Sequence, residues 1–149
     1  MRQLEKWQSV TLAIGALFMV LGAGGVVFGS AIGASSLVIV KVASIVFALG
    51  AVAFAAMQMA QTYEGNNFVI RRLRRIMVIG DVCFIIAALL MIESNFRILF
   101  PYMATTIEGY TSWVKYVYNN WVVALLIAAI IEMYTTHRIA HELNKEERE

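Results

Sequence analysis

The sequence predicts an all-α polytopic membrane protein, a four-transmembrane-helix bundle with both termini cytoplasmic and an aromatic outer loop at the membrane interface. Three observations predict it. Of 149 residues, 60% are hydrophobic and 15% charged, whereas a soluble domain runs nearer half apolar and a quarter charged; the mean hydropathy is +0.73. The charges are segregated: none falls between Lys6 and Lys41, a run long enough at ~1.5 Å per residue to cross a bilayer. No strand-like alternation, tandem repeat or heptad array competes with helices. The same composition excludes other classes. One proline and few charges argue against disorder. A scattered net charge of +2 does not suit a nucleic-acid partner. A lone Cys83 rules out a disulfide framework or a dithiol redox centre.

The expected spans follow in order within a single domain, residues 1–149. The first covers about residues 8–29 and ends in a small-residue turn, Gly29, Ser30, Gly33, Ala34, Ser35 and Ser36. The second covers 37–60 and carries Lys41. A polar stretch, Gln61 to Asn67, leads to the basic cluster Arg71, Arg72, Arg74 and Arg75. The third span covers 76–93 with Asp81, and the fourth 118–137 with Glu132. Residues 138–149 are expected to continue the last helix as a cytoplasmic tail. Arg2, Lys6 and the apolar run before Gly29-Ser30-Ala31 imitate a signal peptide, but the run exceeds the usual 7–15 residue core, so an uncleaved span is expected.

Orientation comes from lysine and arginine near the span ends. Arg2, Lys6, the four arginines of 71–75, Arg138, Lys145 and Arg148 fall on one side. Arg97 and Lys115 fall on the other, joined by Lys41 if it snorkels outward. The first side is therefore cytoplasmic. On the outer side, residues 94–117 hold Phe96, Phe100, Tyr102, Tyr110, Trp113 and Tyr116. Such rings favour the headgroup layer, which predicts a short helix or two on the outer leaflet, broken near Pro101.

Helices in a membrane gain little from hydrophobicity against each other, so close backbone approach matters more. Gly15, Gly22, Gly25, Gly29 and Gly33 share one face of the first helix, and Ser44, Ala48, Ala51 and Ala55 share one of the second. Two readings follow: a tight internal hairpin, or an oligomer seam through Gly22, Gly25 and Gly29. His137 and His141 have a spacing seen at metal sites, but a third ligand is lacking, so no metal and no cofactor is expected.

Ionisable residues inside spans mark candidate functional sites. Asp81 lies six residues past Arg75 and Glu132 six before Arg138, ~9 Å of helix in each case, which sets both at one depth in antiparallel helices. Each carboxylate costs ~2.5–3.5 kcal/mol at the membrane centre and less at this depth. Three readings are open: Arg74 or Arg75 folds back to neutralise Asp81; the carboxylates line an ion or proton site; or they hold a divalent metal for hydrolysis. Lys41 and Glu93 form a candidate outer polar pair. Arg71, Arg72, Arg74 and Arg75 are expected to fix topology and to hold anionic lipid headgroups, each gaining ~1 kcal/mol.

The segment Gly65-Asn66-Asn67-Phe68-Val69-Ile70-Arg71-Arg72-Leu73-Arg74-Arg75-Ile76 resembles the inner loop of an uncharacterised family of small four-span bacterial membrane proteins. The resemblance covers about residues 57–92 and implies a bacterial inner membrane. The acid-free first span and the lone Cys83 set the chain apart from small multidrug transporters and from quinone-coupled thiol oxidoreductases. The expected function is interaction or assembly within the membrane, without catalysis, as a homo-oligomer or with a membrane protein partner. The alternative is a small proton- or cation-coupled transporter or channel using Asp81 and Glu132.

Overall fold

A computed structural model describes residues 6–33, 37–61, 63–146 and 148. Arg2, Ala34, Ser35, Ser36 and the last residues of the expected tail, Glu147 and Glu149, lie outside the described residues, as does the side chain of Lys6. The helices are α1 (Lys6–Ile32), α2 (Leu37–Ala60), α3 (Phe68–Phe96), α4 (Phe100–Met103), α5 (Ile107–Tyr116) and α6 (Trp121–Glu146). Four segments are long and apolar enough to cross a membrane: Trp7–Ile32, Leu37–Ala60, Phe68–Phe96 and, containing α6, Ile107–Lys145. Their surface is inverted relative to a soluble protein. Val20, Phe28 and Met133 are 70–72% exposed, while Ser44, Asp81 and Thr135 are wholly buried. Lipid tolerates the first group and not the second.

The long helices run antiparallel in sequence order. α1 packs on α2, and α3 packs on both α2 and α6. The α1–α2 hairpin depends on missing side chains. A Cβ on Gly22 would come within 2.6 Å of the Phe47 backbone, and one on Gly50 within 2.7 Å of the Gly15 carbonyl. Gly25 faces Ala43 and Gly29 faces Val40. The glycine face is therefore an internal seam, filled by α2. One core cluster, including Met19, Phe47, Phe84, Met91 and Trp121, fills the bundle. A second, Ile70, Leu73, Met77 and Ile139, closes the end beside the arginines.

Two boundaries differ from the sequence expectation. α3 begins at Phe68, eight residues before the expected span, because the Asn67 side chain accepts from the Val69 amide and caps the helix. The arginines lie within its first turns. Charge marks where a span leaves hydrocarbon, not where a helix stops. α6 begins at Trp121, after Asn119 in the left-handed region at φ 58°. Its polar end stays helical to Glu146, with Arg138 paired to Glu142 at 3.4 Å.

The segment between α3 and α6 contains two short helices, α4 and α5. Pro101 opens α4, and the break falls before it, at Arg97, whose left-handed conformation (φ 53°, ψ 46°) ends α3. The Glu93 carboxylate pins this segment. It accepts from the Leu99 amide at 2.9 and 3.0 Å, from the Phe100 amide at 3.2 Å and from Trp113 Nε1 at 3.2 Å. The Trp113 ring is buried and stacks edge-on with Phe100 at 4.9 Å.

The hairpin seam makes a paired prediction. Gly22→Ala overpacks the crossing and is expected to destabilise the protein by about 1–3 kcal/mol in detergent unfolding. Gly24→Ala, which meets nothing within 4 Å, is expected to be neutral or to stabilise by about 0.5–1 kcal/mol. Equal effects at the two positions would contradict the seam.

Candidate functional site

Between the two core clusters, α2, α3 and α6 bring four polar side chains together. Asp81 comes from the middle of α3, Glu132 from α6, Gln58 from the last turn of α2 and Arg74 from the second turn of α3. Antiparallel packing of α3 on α6 sets Glu132 beside Gly80, the neighbour of Asp81. A Cβ on Gly80 would lie 2.9 Å from Glu132 Oε1. The glycine is what lets the carboxylate reach the α3 backbone, and Asp81 lies close enough to feel the charges of Glu132 and Arg74.

Gln58 is the hub of the arrangement. Its side-chain amide donates to Glu132 Oε2 at 2.5 Å. Its main-chain carbonyl accepts from Arg74 Nη2 at 3.3 Å, and the Gln61 carbonyl accepts from the same nitrogen. Arg74 thus caps the carbonyl end of α2, where the helix's own amides run out and the Gln58 carbonyl also accepts from the Gln61 amide at 3.2 Å. One glutamine ties α2 to both α3 and α6.

The cluster leaves valences open. Both Asp81 oxygens, Glu132 Oε1 and Arg74 Nη1 are buried without a hydrogen-bond partner among the described residues. Asp81 is 0% exposed and Glu132 8%. Among the described residues no ion pair reaches either carboxylate. Burying an ionised carboxylate unsatisfied costs several kcal/mol, so this geometry favours whatever supplies a proton or positive charge to the open oxygens. Thr135, fully buried one turn further along α6, spends its hydroxyl on the Ile131 and Glu132 carbonyls.

The structure joins Asp81 and Glu132 at one depth, as their spacing predicts. It forms no ion pair from Arg74 or Arg75 to Asp81 among the described residues: Arg74 Nη2 donates to the α2 carbonyls, and Arg75 is exposed. Nor does it join Lys41 to Glu93. The carboxylate is committed to the segment between α3 and α6, while Lys41 Nζ sits over the Phe96 ring, 5.5 Å from its centroid. Arg71, Arg72 and Arg75 remain together with Phe68 around a cavity of about 340 Å³, and Arg71 also donates to the Gly65 carbonyl at 3.0 Å. No group of three or more His, Cys, Asp or Glu gathers for a metal among the described residues. Sequence reasoning missed Gln58 and Gly80. The available signal was polarity: Gln58 is the one amide side chain in residues 37–60, and Gly80 adjoins the one acid in the middle of its span.

The hub is testable by a double-mutant cycle. Gln58→Leu and Glu132→Leu, singly and together, are expected to show a coupling of about 1.5–3 kcal/mol in unfolding free energy, the worth of a hydrogen bond to a charged group. A coupling near zero would remove Gln58 from the site.

No protein-family model matches the chain, and comparison with curated proteins and with solved structures finds no significant match.

Proposed function

We propose that this chain is a small proton- or cation-coupled membrane transporter or channel whose binding site is the Asp81–Glu132 pair. The observation that carries the reading is the set of open, buried carboxylate oxygens that, among the described residues, no arginine pairs with. Two carboxylates at close quarters cannot both stay ionised without a counter-ion; a shared proton or a bound monovalent cation relieves the repulsion. Two groups besides the carboxylates themselves face the pair: Arg74 on α3 and Gln58 on α2.

Loading has a structural consequence. Neutralising Glu132 weakens the charge-assisted bond from Gln58, which loosens α2 from α6. Access from the arginine end requires the Ile70, Leu73, Met77 and Ile139 cluster to part, and that cluster is the gate in this reading. With the glycine seam filled by α2, assembly through Gly22, Gly25 and Gly29 has less support than ion binding.

The setting proposed is a bacterial inner membrane with both termini cytoplasmic. The lysine and arginine asymmetry and the resemblance of residues 65–76 support it. Arg71, Arg72 and Arg75 then face anionic headgroups of the inner leaflet. The reading involves no catalysis, cofactor or nucleic acid.

Flux in proteoliposomes tests the proposal. Wild-type protein is expected to pass protons or a monovalent cation down an imposed gradient. Asp81→Asn and Glu132→Gln are each expected to reduce the flux about tenfold or more, while Glu108→Gln, on exposed α5, retains it. Flux that survives both core substitutions would overturn the proposal, as would a wild-type protein that passes neither ion.

A further inference from the structure

A second polar feature lies at the opposite end of the bundle, independent of the carboxylate pair. The ends of α1, α2, α3 and α6 surround a cavity of about 820 Å³, within the range of small-ligand sites. Its wall is amphipathic. Lys41, Arg97 and Asn95 contribute charge and an amide, while Val26, Val40 and Trp121 contribute apolar surface. Among the described residues no carboxylate lines it.

The two cations are unneutralised. Among the described residues neither Lys41 nor Arg97 makes an ion pair. Lys41 rests over the Phe96 ring, and Arg97 rests over Phe100 with its guanidinium carbon 5.6 Å from the ring centroid. The acid nearest in sequence to Arg97, Glu93, is occupied by two main-chain amides and the Trp113 indole. Asn95 is also held in place, donating to Ser44 Oγ at 2.6 Å. The backbone helps to hold Arg97 at the rim, because its left-handed conformation ends α3 there.

We propose that this cavity binds an anionic amphiphile, with a phosphate or carboxylate head between Lys41 and Arg97 and an apolar chain against Val26, Val40 and Trp121. Charge-assisted bonds from both cations fix the head, and the apolar wall excludes a small inorganic anion as the natural occupant. The head belongs either to a membrane phospholipid or to a free fatty acid, and the experiment separates these sources.

The test is thermal unfolding of the full chain in a neutral detergent, since a ligand that binds only folded protein raises the unfolding temperature. The additives are phosphatidylglycerol, oleate and phosphatidylcholine. The first or the second is expected to raise the wild-type temperature more than the zwitterionic lipid does. A rise with phosphatidylglycerol alone assigns the head to phospholipid, and a rise with oleate assigns it to a free acid. The neutralised pair Lys41→Gln with Arg97→Asn is expected to lose the difference; Asn suits the left-handed position, so the backbone is undisturbed. Lys41→Arg with Arg97→Lys is expected to keep it. If the neutralised pair does not fold, Lys41→Gln alone, at an exposed position, gives the same comparison with a partial loss. An equal rise with phosphatidylcholine, or no rise with either anion, would overturn the proposal. So would an anion effect that survives neutralisation, which places binding at the Arg71, Arg72 and Arg75 end instead.

Discussion

The hydrogen bond from Gln58 to Glu132 is the contact on which the rest of this bundle turns. A carboxylate surrounded by hydrocarbon has to find donors within its own chain. Glu132 finds one, from a glutamine that simultaneously receives Arg74 on its carbonyl. That single residue sets the spacing of α2, α3 and α6 at the basic end. Gly80 then removes the Cβ that would keep Glu132 from α3. What remains open, both Asp81 oxygens and one of Glu132, is the polar capacity the fold leaves for something else.

The two ends of the molecule solve the same problem differently. At the aromatic end the buried acid is Glu93, and the fold satisfies it fully with amides from the chain's own turn and with the Trp113 indole. That acid is structural, because it orders α4 and α5 over the bundle. At the basic end the acids outnumber their donors. The contrast between a saturated carboxylate and an unsaturated pair separates scaffold from candidate site more sharply than charge or depth alone. It also accounts for the setting of the cations at the aromatic end: with Glu93 engaged elsewhere, Lys41 and Arg97 rest on aromatic faces.

Much of the helical layout was legible in the sequence, because hydrophobic runs and charge punctuation are one-dimensional. α2 runs from Leu37 to Ala60, where its span was expected, and the matching depth of Asp81 and Glu132 follows from counting residues to Arg75 and Arg138. The pairings were not legible, for a physical reason. Arg74 shares a helical face with Asp81, yet the carbonyls ending α2 claim it. Lys41 and Glu93 lie at similar depth, yet the loop's free amides claim the acid. Main-chain donors and acceptors at helix ends carry no residue-type signature, so a reading built on side-chain charges overlooks them. Gly22, Gly25 and Gly29 were legible as a close-packing face. Which helix fills that face is a tertiary fact.

The central claim is that Asp81 and Glu132 together hold a proton or a cation. Infrared difference spectroscopy of the protein in lipid, titrated over pH and over monovalent salt, addresses it most directly. The account predicts a protonated-carboxyl band that titrates, or carboxylate bands that shift on cation binding. That signal disappears in Asp81→Asn/Glu132→Gln and persists in Glu93→Gln. A spectrum with neither signal, or with one unaffected by removing the pair, would contradict it.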